Sequence, residues 1–227
     1  MKFKAFIFAR GGSKGLKNKN ILKIGGIPLL VHTINLAKEI ELIDDIFVSS
    51  DCPEICAIAS KNGAKVIKRP KELAQDDSPE WMAWQHAIKY VVKNFGNFEG
   101  FLSLPTTSPL RTKEDVQKCL IKLKTRNEVI ITITESKRNP AFNMVKEDKN
   151  NNIHLCQKLD FQKISRRQEC ERTFDITTVA YVSTTKRILN SKNIWDGDVK
   201  AVKIPYERSI DIDTRFDFEI ANFLYNK

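Results

Sequence analysis

The sequence KFKAFIFA at residues 2–9, followed by RGGSKGLKNKN at residues 10–20, decides the fold of this 227-residue chain. The first stretch is an apolar run rich in Phe and Ile, which predicts a buried strand. The second is a loop rich in Gly, Lys and Asn. Glycines let backbone N–H groups approach an anion closely, and Arg and Lys side chains supply the opposite charge. A basic loop directly after a buried strand therefore favours phosphate binding over a merely solvated loop.

Strand and helix signals alternate along the rest of the chain. Further strands are predicted at residues 45–49, 64–67, 101–104, 129–134 and 176–182. Helices are predicted from Pro28 to about Leu42, after Pro53, after Ser78 and after Thr112. This alternation predicts a single α/β domain, Rossmann-like, with a mostly parallel sheet and helices on both faces. Such sheets bind ligands at the carboxyl ends of their strands.

Several local patterns predict finer features. Ser78 is expected to cap the helix that follows Pro79. Polar residues at about 137–172 interrupt the alternation, and apolar residues on both sides of the DKNNN turn at 148–152 indicate a hairpin there. A late strand is predicted over Ser209–Ile212 and a terminal helix after Thr214. The expected apolar face of that helix is Phe216, Ile220, Phe223 and Leu224.

Charge is unevenly distributed along the chain. Lys plus Arg exceed Asp plus Glu by 38 − 28 = 10, and residues 1–38 contain eight cations and no acid. Residues 209–222 carry four acids against Arg215 alone. Asp211 and Asp213 are two apart, so a strand would place both carboxylates on one face, where they can hold a hard cation. The alternative is a polar strand end that leads into a capped helix. A basic and an acidic end of this kind can meet around a metal-bound polyphosphate.

Composition argues against several other classes of protein. The five cysteines are scattered and form no CxxC pair, and no HExxH is present, so zinc sites and disulfide frameworks are poor interpretations. No apolar run approaches the roughly 18 residues that span a bilayer. Aromatic residues do not alternate with the basic loop, and no helix-turn-helix or finger pattern is found. We expect a cytoplasmic protein with reduced thiols that binds neither membrane nor nucleic acid.

Six segments in order resemble the acylneuraminate cytidylyltransferases, also called CMP-sialic acid synthetases. They are FARGGSKGLKNKN at 8–20, GIPL at 26–29, VSSD at 48–51, RPKELAQD at 69–76, TSPLR at 107–111 and IDIDT at 210–214. Enzymes of that family couple a nine-carbon keto-sugar acid to CMP from CTP and release pyrophosphate. The resemblance implies the same reaction here, with Mg²⁺ as cofactor and a homodimer in which residues 137–172 form the dimerisation arm.

The resemblance also implies roles for individual residues. CTP is expected to contact Arg10, Gly11, Ser13, Lys14, Lys19, Asn20 and Arg69. Catalysis is expected of Arg10, Lys14, Lys19, Asp211 and Asp213, of which the two aspartates would bind magnesium. The sugar acid is expected to contact Ser108, Arg111 and Arg167. Sequence names no general base.

The chain departs from many sialic-acid members where the family binds its sugar. Pro105-Thr106 precedes TSPLR in place of Gln-Pro, Thr177-Thr178 stands in place of Asn-Gly, and residues 139–143 also differ. These departures favour a bacterial relative of N-acetylneuraminate, such as pseudaminic acid or, preferably, legionaminic acid. One alternative is an octulosonate cytidylyltransferase, whose first loop resembles GSTRLPGK. The other is a non-catalytic protein that binds nucleotide or nucleic acid through the same loop.

Overall fold

A computed structural model describes residues 1–12, 15–157 and 170–227. The strands are β1 (Phe3–Phe8), β2 (Lys23–Ile24), β3 (Ile27–Pro28), β4 (Ile43–Ser50), β5 (Lys65–Lys68), β6 (Gly100–Ser103), β7 (Glu128–Glu135), β8 (Val145–Glu147), β9 (Ile153–Leu155), β10 (Phe174–Thr184) and β11 (Asp198–Lys203). The α-helices are α1 (Leu29–Lys38), α2 (Pro53–Lys61), α3 (Glu80–Phe95), α4 (Lys113–Lys122), α5 (Thr185–Leu189) and α6 (Arg215–Tyr225). Short 3₁₀ helices occupy Lys19–Ile21, Lys71–Leu73 and Tyr206–Arg208.

Seven strands form one twisted sheet in the order β11-β7-β10-β6-β1-β4-β5. Every neighbouring pair is parallel except the two pairs that contain β10. The predicted α/β class with a mostly parallel sheet is therefore confirmed. A hairpin of β8 and β9 projects between β7 and β10, and its antiparallel pairing confirms the hairpin expected around residues 148–152.

Alternating side chains of the strands build a core on each face of the sheet. Ala5 and Ile7 of β1 pack in a cluster that includes residues of α1, α2 and α4. Phe6, one residue away, faces the other side and stacks on Phe47 and Phe101 beneath Trp84 of α3. The sequence of β1 is almost continuously apolar because helices cover the strand on both faces of the sheet.

Some predicted boundaries are wrong. Helix α1 ends at Lys38 and not near Leu42. The backbone leaves the helix in a turn in which the Ile40 amide donates to the Ala37 carbonyl, and this turn buries the Ile40 side chain in the core. Ser78 does not cap α3: Pro79 occupies the capping position, and the Ser78 hydroxyl donates to the carbonyl of Glu72.

Two features near the C-terminus also differ from expectation. Residues 209–212 form no strand, and Ile212 makes a backbone hydrogen bond to the Thr107 carbonyl at 2.9 Å from an otherwise extended segment. Helix α6 buries Phe218 and Ala221, whereas Phe216 and Phe223 of the expected apolar face are exposed. The reason is the packing partner, since this side of α6 meets a small cluster around Ile24, Leu29 and Ile212.

Capping boxes begin α4 and α6, as the sequence predicts. Thr112 accepts from the Asp115 amide and Thr214 from the Asp217 amide, and each aspartate accepts in return from the capping residue. Asp115 also receives two hydrogen bonds from Arg208, at 2.8 and 3.0 Å. This buried pairing ties α4 to the turn from which residues 209–214 return to the sheet.

We expect Arg208→Gln to lower the free energy of unfolding at neutral pH by about 1–3 kcal/mol, because the Asp115 carboxylate, which is 1% exposed, loses two charged hydrogen bonds. Although burial raises the pKa of Asp115, hydrogen bonding to Arg208 holds it below its usual value. Its contribution is therefore present above about pH 4 and is lost as pH falls below that value. Urea unfolding of the variant should show a shallower loss of stability in acid.

Arg215→Gln is the matched control, because Arg215 pairs with Glu219 on the exposed surface of α6. It should change the free energy of unfolding by less than about 0.5 kcal/mol. Equal effects of the two substitutions would contradict the role given to the Arg208 pair.

Candidate active site

The order of the sheet creates a crevice between β1 and β6. The chain runs outward from β1 through β4 to β5 in one direction, and through β6 toward β7 in the other. Loops that leave the carboxyl ends of β1 and β6 therefore diverge, and ligands bind at such a point in open α/β sheets. The segment 209–214 crosses the same region, where Ile212 bonds to the loop after β6.

A cleft of about 620 Å³ opens at this point. Its lining residues come from the loops after β1, β5 and β6, from the start of α3 and from the C-terminal segment. The site residues predicted from sequence that line it are Arg10, Lys19, Asn20, Arg69 and Asp213. Five parts of the chain thus meet where the sequence predicts a phosphate-binding loop.

Asn20 fastens the basic loop to both central strands. Its Nδ2 donates to the Arg10 carbonyl at 2.9 Å, and its Oδ1 accepts from the hydroxyl of Thr106 after β6. The Arg10 guanidinium reaches across the cleft to Asp76, 2.6 Å away. Asn20 is buried and holds the loop in place. Arg10 is partly exposed and presents its positive charge to the cleft.

Lys19 joins the two ends of the chain. Its Nζ lies 2.9 Å from Oδ1 of Asp213, 194 residues later. Gly15 makes the approach possible, because a Cβ at that position would lie 2.7 Å from the Asp213 carbonyl oxygen. The predicted meeting of a basic and an acidic end is confirmed for these residues.

Arg69 presents a positive charge at the cleft and forms no ion pair with a carboxylate of residues 1–12, 15–157 or 170–227. Its Nε and Nη2 donate to the hydroxyl and carbonyl of Ser49 at 3.2 and 2.8 Å, and its guanidinium stacks over Phe8. Burial lowers the pKa of Arg69 to about 10, which leaves it protonated at neutral pH. These contacts fix the plane of the guanidinium and leave Nη1 for a ligand.

Asp211 is held differently from Asp213. Burial raises the pKa of its carboxyl, while the hydroxyls of Thr107 and Thr178 act in the opposite direction. Its Oδ1 is buried and has no hydrogen-bond partner among the residues that the structure describes. A buried carboxylate oxygen without a donor is unfavourable alone and is a suitable ligand for a cation.

Asp211 and Asp213 fit a magnesium ion by this test. Mg²⁺ prefers oxygen ligands and is commonly held by one or two carboxylates together with phosphate oxygens. Within the described ranges, no group of three or more His, Cys, Asp or Glu side chains is arranged to hold a metal. A site built on these two aspartates would therefore take further ligands from substrate and water.

Other predicted site residues lie elsewhere. Ser108 is buried and its Oγ lies 2.7 Å from Oγ1 of Thr178. Arg111 is buried and donates to the carbonyls of Ser108 and Val179 at 2.8 and 2.7 Å. Burial lowers the pKa of Arg111 to about 9. Its guanidinium donates to the carbonyls of Pro105 and Ser108 and so stabilises the turn after β6. Neither side chain lines the cleft.

Gly11 lies beside the cleft, where its amide donates to Asp51 at 3.0 Å. Ser13, Lys14 and Arg167 lie outside the described residues, so their roles stay predictions. All five cysteines are free thiols in the structure. None of the helices described here combines the length and the hydropathy that a bilayer crossing requires.

Sequence reasoning missed Glu80. The sequence pattern indicates only a helix start after Ser78 and Pro79, yet Glu80 at that start lines the cleft. The Trp84 indole donates to its Oε1 at 3.1 Å. Burial raises the pKa of the Glu80 carboxyl, against the lowering effect of Trp84 and Arg69. The signal was its position one turn before a core tryptophan, directly after the loop that follows β5.

A family profile described as cytidylyltransferase matches residues 5–193. This chain belongs to the cytidylyltransferase family. Nucleotidyl transfer is therefore the class of reaction of this family, and the non-catalytic alternative is not favoured.

Individual relatives agree with this assignment. The chain is 31% identical to a CMP-N,N'-diacetyllegionaminic acid synthase of Campylobacter jejuni, across 96% of this chain and 92% of that protein. It is 28% identical to an N-acylneuraminate cytidylyltransferase of Escherichia coli across 98% of this chain, but it spans only 52% of that longer protein. A solved structure of a CMP:2-keto-3-deoxy-manno-octonic acid synthetase with CTP shares the fold, with a TM-score of 0.75 at 16% identity over 100% of this chain and 99% of that one.

Lys19 and Lys17 offer a matched test of the basic loop, because Lys19 lines the cleft and Lys17 is exposed outside it. We expect Lys19→Ala to weaken the binding of tripolyphosphate, measured by calorimetry, by about tenfold or more, since a charged hydrogen bond contributes about 1.5–3 kcal/mol. Lys17→Ala should change the affinity by less than about twofold. Comparable losses would show that the anion does not enter the cleft.

Proposed function

We propose that this protein transfers the cytidylyl group of CTP to a nine-carbon nonulosonic acid, giving the CMP-sugar and pyrophosphate. The observation that supports it most is the meeting of Lys19 with Asp213 in the cleft of a cytidylyltransferase-family chain. A basic loop and an acidic segment in contact there provide for both the phosphates and a metal ion.

Cations of the cleft would take the triphosphate. Arg10 is paired with Asp76 and Lys19 with Asp213, so each has a carboxylate that phosphate oxygens can replace. Arg69 would orient the nucleotide with its remaining N–H groups. Held this way, the leaving pyrophosphate faces positive charge that is already in position, which lowers the cost of the charge that develops during transfer.

Asp211 and Asp213 would hold Mg²⁺. The bound ion would supply charge neutralisation at the α-phosphate. Release of Asp213 from Lys19 would free the carboxylate and the ammonium together, so metal and nucleotide binding should reinforce each other.

The sugar acid would lie next to the hydroxyls after β6 and on β10. The hydroxyls of Thr107 and Ser108 lie 3.2 and 2.7 Å from that of Thr178. Thr178 belongs to one of the segments where the sequence departs from many sialic-acid members. We favour a legionaminic acid, because the relative that is 31% identical carries that activity in its name. A reaction that uses CTP fits the expected cytoplasmic location.

The test is pyrophosphate release over a grid of CTP, UTP, ATP and GTP against N-acetylneuraminate, legionaminate, pseudaminate and the octulosonate, with Mg²⁺ or chelator. We expect release with CTP and one nine-carbon acid, in Mg²⁺ only. Asp213→Asn should shift the Mg²⁺ titration about tenfold or more to higher concentration, because it removes a charged ligand.

Glu219→Gln is the control for the metal assignment, since Glu219 is an exposed acid of α6 that pairs with Arg215. Its Mg²⁺ titration should match that of the wild type. Release only with the octulosonate, or with no acid at all, would refute the proposed substrate, and an unshifted titration for Asp213→Asn would refute the metal site.

We further propose that the β8–β9 hairpin forms part of a homodimer interface, as the resemblance of residues 137–172 implies. In the register of this hairpin, Val145 lies opposite Leu155 and Glu147 opposite Ile153, so their side chains share one face. Val145 and Ile153 are 58% and 60% exposed. Apolar side chains on a projecting ribbon are expected where a partner covers them.

Val145→Asp combined with Ile153→Asp should convert a dimer to a monomer in light scattering, because two carboxylates would be buried at the interface. Ile121→Asp, at a site 63% exposed on α4, is the control and should leave the dimer intact. A wild-type monomer, or a doubly substituted protein that stays dimeric, would contradict the interface.

A further inference from the structure

Glu80 differs from the other carboxylates of the cleft. Three acids among the described residues line it: Asp76, Glu80 and Asp213. Asp76 is paired with Arg10 and Asp213 with Lys19, whereas Glu80 has no ion pair within the described part of the chain. It is therefore the lining carboxylate that is not already neutralised by a cation.

Trp84 fixes the orientation of this carboxylate. The indole N–H donates to Oε1 at 3.1 Å, and Trp84 itself is buried against Phe101 and Tyr181. Nothing in the described part of the chain donates a hydrogen bond to Oε2. A carboxylate with one oxygen fixed by a core residue and the other open to the cleft is ready to accept a proton from a ligand.

Different walls of the cleft are formed by different elements of the fold. Arg10 and Lys19 lie on the loop after β1 and would hold the leaving pyrophosphate. Glu80 and Ala83 come from the start of α3 instead. In-line transfer places the attacking oxygen on the other side of the α-phosphorus from the leaving group. The attacking hydroxyl therefore approaches from a wall other than the loop after β1.

From this arrangement, and resting on the proposed function, we propose that Glu80 is the general base of the reaction. The sugar hydroxyl oxygen forms a bond to the α-phosphorus as the bond from that phosphorus to the bridging oxygen breaks. Pyrophosphate leaves with the bonding electrons. The hydroxyl proton moves to Oε2 of Glu80 and from there to solvent.

The charged groups around Glu80 suit this role. Arg69 attracts its carboxylate, while Asp211 on the C-terminal segment repels it, and burial outweighs Arg69 to raise its pKa. Tyr181 on β10 is kept neutral by burial and by the nearby charges of Glu80 and Asp211. A carboxylate whose pKa is raised is a stronger base than an ordinary glutamate and, in its ionised form, accepts a proton more readily.

The experiment compares Glu80→Gln, Glu80→Asp and Asp77→Asn in steady-state pyrophosphate release, with CTP affinity measured separately by calorimetry. Glu80→Gln retains an acceptor for the Trp84 indole but cannot take the proton. We expect its kcat to fall by about 100-fold or more, the usual contribution of a general base, with the Kd for CTP within about twofold of wild type. Glu80→Asp should retain more activity than Glu80→Gln.

Asp77→Asn is the control, because Asp77 is an exposed acid of the same loop that does not line the cleft. It should retain wild-type kcat. A kcat for Glu80→Gln within about threefold of wild type would overturn the assignment. So would a loss of kcat accompanied by an equal loss of CTP affinity, since that outcome marks a nucleotide-binding role. Failure of the wild type to use any acid would refute the cytidylyl-transfer proposal itself, and the role of Glu80 with it.

Discussion

The contact between Lys19 and Asp213 is the constraint on which the rest of the site depends. These residues are 194 positions apart, and their 2.9 Å contact requires the loop after β1 and the segment before α6 to meet over one edge of the sheet. Thr214 then starts α6, whose packing on Ile24 and Leu29 holds the segment in place. Opposite charges attract Lys19 and Asp213 to each other, and the apolar packing of α6 stabilises the segment that carries Asp213.

Among the described residues, two of the three cations that line this cleft face a carboxylate, and Arg69 is the third. Arg10 with Asp76 and Lys19 with Asp213 avoid the repulsion that a cluster of uncompensated cations would cause. Phosphates and a divalent cation can replace both kinds of partner at once, so the site changes its ion pairs without exposing an unpaired charge. Arg69 is stabilised by other contacts instead, because its guanidinium donates to the Ser49 carbonyl and stacks over the ring of Phe8.

Sequence predicted the features that depend on local chemistry. The buried run of β1, the capping boxes at Thr112 and Thr214, and the basic loop were all readable, because each requires only neighbours in the chain. The path of residues 209–212, the buried position of Arg111 and the entry of Glu80 into the cleft were not. Each of these is decided by a contact with a distant element: the Thr107 carbonyl, the Val179 carbonyl and the Trp84 indole.

The irregularity in β10 shows how the fold places neutral donors beside Asp211. Pairing of β10 with β7 shifts register after Thr177, where the Thr132 hydroxyl bonds to the Thr177 carbonyl at 3.0 Å and receives the Ala180 amide at 3.3 Å. Thr178 is thereby released from the ladder and turns its hydroxyl toward Ser108. Hydroxyls moderate the cost of burying the Asp211 carboxylate without cancelling its charge. An arginine at the same place would have stabilised the carboxylate more strongly, and would have removed the negative charge that a divalent cation needs.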